Sequence, residues 1–111
     1  MDVALEIHPI GPWTVVEIAG ELDMHSAPPV RDRVIGLIHD GSHRIALDLT
    51  KVDFMDSSSL GALVTCLKRA RERDGRLVLV GVSGSPMKVL SLTGLDRVFE
   101  LVDGVDELPS D

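Results

Sequence analysis

The sequence predicts an α/β fold: one mixed, mostly parallel sheet of four to five strands, with helices packed mainly on one face. Three features of the 111-residue chain lead there. Strand-type and helix-type segments follow one another in the order β-β-α-β-α-β-α-β. The first two are joined by a turn so short that they must form an antiparallel hairpin. The apolar run from Leu77 to Val82 has the character of a central strand covered on both faces. Helical crossovers make the later strands parallel. If the strands add in sequential order, right-handed crossovers place all three helices on one side.

Residues 3–7 alternate in part and read as the first strand, and His8-Pro9-Ile10-Gly11-Pro12 is turn chemistry. The second strand covers Trp13 to Ala19. Thr14, Val16 and Ile18 share one face, and Trp13, Val15 and Glu17 the other. Ser26 is placed as the cap of a helix reaching about Asp40. Pro28 and Pro29 sit in its first turn, where a missing N–H costs little. Val30, Val34, Leu37 and Ile38 form its apolar stripe, and Gly41 ends it.

A third strand is expected over Arg44 to Leu49. Leu60, Leu63, Val64 and Leu67 then fall at i, i+3, i+4 and i+7, the cleanest helical signal in the chain. A charged tail from Lys68 to Asp74 ends at Gly75. After the central strand, Ser85-Pro86 opens a third helix and Gly94 closes it. Val98 to Val102 is the last strand, and Asp103 to Asp111 forms a short helix or a loose tail.

The length suits one domain spanning residues 1–111. Eighteen acidic residues against 11 Lys and Arg give a formal charge of −7. That argues against a nucleic-acid partner, which needs a cationic face, and against an anionic membrane surface. The longest uninterrupted apolar run, Leu77 to Val80, is far too short for membrane insertion. A single cysteine, Cys66, permits no internal disulfide and supplies no cysteine set for zinc. The acidic N-terminus has no signal-peptide pattern, so a reducing cytoplasm is the expected compartment. No cofactor or metal is expected.

The chemistry concentrates at Asp56-Ser57-Ser58-Ser59, where a strand gives way to the best-marked helix. Unpaired N–H groups and the helix dipole favour negative charge there. Such a turn can cap the helix, hold a phosphate or become phosphorylated. A cap needs one hydroxyl, and three in a row after an acid exceed that need.

Phe54-Met55-Asp56-Ser57-Ser58-Ser59-Leu60-Gly61 resembles the signature of STAS domains, in particular anti-sigma factor antagonists. Gly20-Glu21-Leu22-Asp23 with Ala27-Pro28, and Leu92-Thr93-Gly94-Leu95-Asp96 with Val98-Phe99, resemble two further family segments. The resemblance implies a binding switch and not an enzyme. The unphosphorylated form would bind an anti-sigma factor and free a sigma factor. That anti-sigma factor would be a GHKL-type serine kinase, which would phosphorylate Ser57, with Ser58 the second choice. A phosphatase acting on phospho-Ser57 would restore binding. The implied contact surface comprises Asp23, His25, Ser26, Asp56, Ser57, Ser58, Ser59, Leu60 and Gly61. Ser59 stands where the family usually has Gly, and so offers a rival hydroxyl or a bulge against the partner.

Two other readings stay open at this level. The chain fits a STAS subunit of a lipid-transport or stress-sensing complex, or a small nucleotide-using enzyme with the Gly81–Ser85 turn as its phosphate site. That turn lacks the third glycine and the Gly-Lys-Ser/Thr of phosphate loops. Ser85-Pro86-Met87-Lys88 matches Ser-x-x-Lys but lacks its companion motifs. His39 and His43 read as surface residues, and Cys66 as core.

Overall fold

The computed structural model describes residues 3–110. Strands β1 (Val3–Ile10), β2 (Trp13–Leu22), β3 (Arg44–Met55), β4 (Arg76–Val80) and β5 (Glu100–Val102) form one sheet in sequential order. β1 and β2 are antiparallel and every later pairing is parallel. The connections are helices α1 (Ala27–His39), α2 (Ser57–Glu72) and α3 (Gly84–Thr93). Single 3₁₀ turns follow at Leu95–Arg97 and Val105–Glu107.

All three helices bury apolar residues against the same face. Val30, Val34 and Ile38 of α1, Leu60, Leu63 and Leu67 of α2, and Leu90 of α3 join Val16, Ile18, Leu47 and Leu79 of the sheet in one core. The predicted stripe of α1 is correct except at Leu37, which is only partly buried. The opposite face is covered differently. Trp13, Val15, Ala46, Val78 and Val80 form a second, smaller core beneath the C-terminal segment, with Val105 and Leu108 packed on it. Residues 104–110 thus hold a short helix, the 3₁₀ turn Val105–Glu107, as the first of the two expectations had it. They cover the sheet.

Element boundaries differ from the sequence reading for identifiable reasons. β1 continues to Ile10 because Pro9 lies on an edge strand, where a missing N–H is tolerated. The hairpin turn shrinks to Gly11-Pro12, with Gly11 at φ 57°. β2 runs on to Leu22 and β3 to Met55, carrying both strand ends toward the start of α2. β3 gains one extra residue between the Glu17 and Ala19 pairings and another between Gly20 and Glu21. These irregularities shift its inward positions from Leu49 to Val52 and then to Met55. The last strand is shorter than expected. Residues 95–97 coil, and Phe99 turns into the core with its N–H on the Leu95 carbonyl.

Candidate functional site at the start of helix α2

Asp56 is the N-cap of α2. Its backbone is extended, and its carboxylate accepts the N–H of Ser59 at 3.1 Å. The same carboxylate oxygen accepts the Ser58 hydroxyl at 2.6 Å. The Ser59 hydroxyl turns back and donates to the Asp56 carbonyl at 2.7 Å, and Ser59 is only 1% exposed. One aspartate thus engages two of the three hydroxyls. Ser57 is exposed, and its hydroxyl makes no hydrogen bond to any described residue.

The end of β2 braces this turn. The N–H of Asp56 donates to the Leu22 carbonyl at 3.2 Å, so the loop after Leu22 lies beside the helix start. Within that loop Asp23 accepts the N–H groups of His25 and Ser26 at 2.8 and 2.9 Å. These donors, Ser26 first and then His25, hold the Asp23 carboxyl below its ordinary range. Ser26 occupies the N-cap position of α1 as the sequence suggested, but its side chain makes no capping hydrogen bond. Its hydroxyl faces backwards, donating to the Glu21 carbonyl at 2.6 Å and accepting the Asp23 N–H at 3.0 Å. Asp23, three residues earlier, orders the helix entry with its side chain, while its carbonyl accepts the N–H of Ala27.

The predicted contact residues therefore divide. Asp23, His25, Asp56, Ser57, Ser58 and Gly61 reach the surface, whereas Ser26, Ser59 and Leu60 are buried. Ser59 offers neither a bulge nor a rival hydroxyl, because its side chain points under the turn. Gly61 lies one helical turn beyond Ser57 on the same face. A Cβ added there would meet nothing within 4 Å, so packing within the fold does not require a glycine. Sequence reasoning passed over Met24 and Phe54, exposed by 66% and 39%. Phe54 pairs with Glu21 and Met55 with Leu22, which brings both apolar residues to the same end of the sheet. Their signal was the presence of large apolar side chains inside a polar turn.

The remaining candidates are dispersed. The His39 ring nitrogen meets Arg73 at 2.8 Å. Among the described residues no three His, Cys, Asp or Glu side chains gather as a metal cluster. Cys66 is buried, and burial pushes its thiol up to about 12. Ser85 and Lys88 are both exposed. No helix among the described residues is long and apolar enough to cross a membrane.

A family model described as the STAS domain matches residues 4–108. The chain belongs to the STAS domain family. An anti-sigma-B factor antagonist from Listeria monocytogenes is 35% identical to this STAS chain over 85 residues, covering 76% of it and 74% of the relative. A crystal structure from Thermotoga maritima, provisionally described as an anti-sigma factor antagonist, superposes with a TM-score of 0.86 at 29% identity. It covers 93% of this chain and 89% of that one. The Bacillus cell fate determinant SpoIIAA, solved in its phosphorylated form, superposes with a TM-score of 0.72 at 25% identity, covering 94% of each chain.

Proposed function

We propose that this protein is an anti-sigma factor antagonist controlled by phosphorylation of Ser57. The unphosphorylated form docks an anti-sigma factor and frees a sigma factor. The docked protein is itself a GHKL-type serine kinase that uses ATP and modifies Ser57, and a phosphatase reverses the modification. This switching takes place in the cytoplasm, and the antagonist performs no catalysis of its own.

The observation that carries this reading is the inequality of the three serines. Ser58 and Ser59 are committed to Asp56, and Ser57 alone presents an exposed hydroxyl with no partner among the described residues. The names of the relatives and the phosphorylated SpoIIAA structure support the same direction. The docking surface is the exposed rim around Ser57: Asp23, His25, Asp56, Ser58 and Gly61, with Met24 and Phe54 as apolar contacts. Ser26, Ser59 and Leu60 act beneath it by fixing the turn.

Phosphate at Ser57 adds roughly −1.5 to −2 charges. The start of α2 tolerates them, since a negative group at an exposed helix N-terminus gains about 0.3–1 kcal/mol. The fold therefore survives modification. A docked partner would have to desolvate that charge beside Asp56, at a cost on the order of 2–5 kcal/mol, or thirty-fold and more in affinity. The test is phosphate transfer from ATP by the cognate kinase, mapped by mass spectrometry. Label on Ser57, lost in Ser57→Ala, is expected. Equal labelling of the Ser57→Ala protein would sink the assignment.

A further inference from the structure

The end of α2 opposite Ser57 collects positive charge. The last turns of the helix carry Lys68, Arg69 and Arg71 beside Glu72, Arg73 follows as the C-cap, and Arg44 and Arg76 open strands β3 and β4. The helix has 16 residues. At about 1.5 Å per residue this pole lies roughly 24 Å from the Ser57 end. Such a concentration of cations is unexpected in a chain carrying a net −7.

Two hollows meet at this pole. One, of about 290 Å³, lies between the end of α2 and the 95–100 segment, with Arg71, Arg97, Val98 and Glu100 on its walls. The other, of about 500 Å³, is lined by His43, Arg44 and Asp74. They share Gly75 and Arg76 on their walls, so they adjoin as two lobes of a groove around this end of the sheet. Gly75 is the pinch between them. A Cβ there would stand 2.6 Å from the His43 carbonyl oxygen.

The charges in the groove are not balanced internally. Arg76 forms a two-pronged pair with Glu100, its Nε donating at 2.8 Å. Arg44 sits directly beside Arg76 in the parallel register, a like-charge neighbour that opposes folding. Arg44, Arg71 and Arg97 meet no carboxylate among the described residues. Arg44, Arg71 and Arg97, with no carboxylate partner among the described residues and only Asp74 and Glu100 as acids on the same walls, mark a surface that takes its counter-charge from elsewhere.

We infer that this groove docks an acidic, extended peptide segment of a partner protein. Its carboxylates pair with Arg44, Arg71 and Arg97, whose forked donors match carboxylate geometry. An apolar side chain of the segment rests on Val98, which is 44% exposed. Glu100 and Asp74 supply acceptors for peptide N–H groups. The same two acids oppose a polyphosphate backbone, and both Trp13 and Phe99 are buried, which leaves no aromatic platform for bases. The groove is independent of the reading of Ser57.

Fluorescence anisotropy with a labelled short peptide of glutamates interrupted by leucine tests this on the full chain at low salt. Saturable binding is expected, unchanged in Ser57→Ala and weakened about tenfold or more by the pair Arg71→Glu and Arg97→Glu. Arg33→Glu, an exposed charge reversal on α1, controls for net charge and should bind nearly as the parent does. Both charge-reversal proteins should show parental circular dichroism. The single changes Arg71→Ala and Arg97→Ala should give intermediate losses. Absent saturation, indifference to the Arg71 and Arg97 changes, or equal affinity for a single-stranded oligonucleotide of the same charge would overturn the inference. So would sedimentation showing that the groove is instead filled by a second copy of the chain.

Discussion

The Asp56 carboxylate accepts the Ser58 hydroxyl at 2.6 Å and the Ser59 N–H at 3.1 Å through a single oxygen. Ser58 is thereby bound into the cap while Ser57 stands outside it. Asp56→Ala removes the cap, and it strands the buried end of Ser59 next to a fraying first turn. The expected loss is about 1–2 kcal/mol of unfolding free energy. Urea denaturation of both proteins measures it, and an unchanged midpoint would refute the capping role. Asp56→Asn keeps an acceptor and should lose less than half as much.

At Gly61 helix stability and the proposed docking role can be measured apart. Nothing in the fold crowds its position. Gly61→Ala should therefore stabilise α2 by about 0.5–1 kcal/mol, the usual penalty for glycine inside a helix. Gly61→Lys should stabilise the helix less and cut the affinity for the anti-sigma factor by about tenfold or more, because it fills the space beside Ser57 that a docked partner needs. Thermal melts and titration calorimetry read the two effects separately. A Gly61→Lys protein that binds as tightly as the parent would remove this face of α2 from the docking surface.

Asp23 gives the site a pH signature. Its carboxyl is held below the ordinary 3.8 by the N–H groups of Ser26 and His25. A group whose folded value is lowered stabilises the fold above its unfolded value, and that contribution fades as the pH falls through the folded value. Asp23→Asn keeps an oxygen acceptor for both N–H groups but does not titrate. Its stability deficit should be constant at neutral pH and shrink below 3.8. Urea midpoints collected down a series of acidic pH values show this. A deficit that stays the same across the acid range would place the stabilisation elsewhere.

Some of this was written plainly in the chain, and some could not have been. The α2 core residues Leu60, Leu63 and Leu67 recur at the helical period, and the structure buries all three. The second half of β3 was hidden because two extra residues change which side chains face inward. Leu49, Val52 and Met55 are spaced by three, a pattern belonging to neither a regular strand nor a helix. Residue type revealed that Ser26 and Asp23 belong to a helix entry. It did not reveal which would serve the helix and which would face back to the strand. The same limit applies to the three serines. Their position at a helix start follows from the sequence, but their inequality depends on the directions taken by two hydroxyls.

The last expectation concerns the underside of the sheet, where Trp13 and Val15 formed a legible face with no legible cover. The cover is the C-terminal segment, and its anchor is the Trp13 indole, which donates to the Pro109 carbonyl at 2.6 Å. Trp13 is 2% exposed, and Val105 and Leu108 pack on the cluster around it. Deleting residues 105–111 uncovers this face. Two partly buried apolar side chains and one hydrogen bond are lost, and the indole N–H and neighbouring valines meet water. At about 1.5–3 kcal/mol for a fully buried apolar side chain and roughly 1 kcal/mol for a hydrogen bond, the loss should come to about 3–5 kcal/mol. That is a large share of the 5–15 kcal/mol typical of a folded domain. Trp13 is the chain's one tryptophan, so its emission reports the change without a label. The truncated protein should emit at longer wavelength and unfold at lower urea. Trp13→Phe in the full chain should lose only the hydrogen bond and some contact area, and so fall between the two. Unshifted emission in the truncated protein would mean that the indole stays buried without the segment, and the cover would then lie elsewhere.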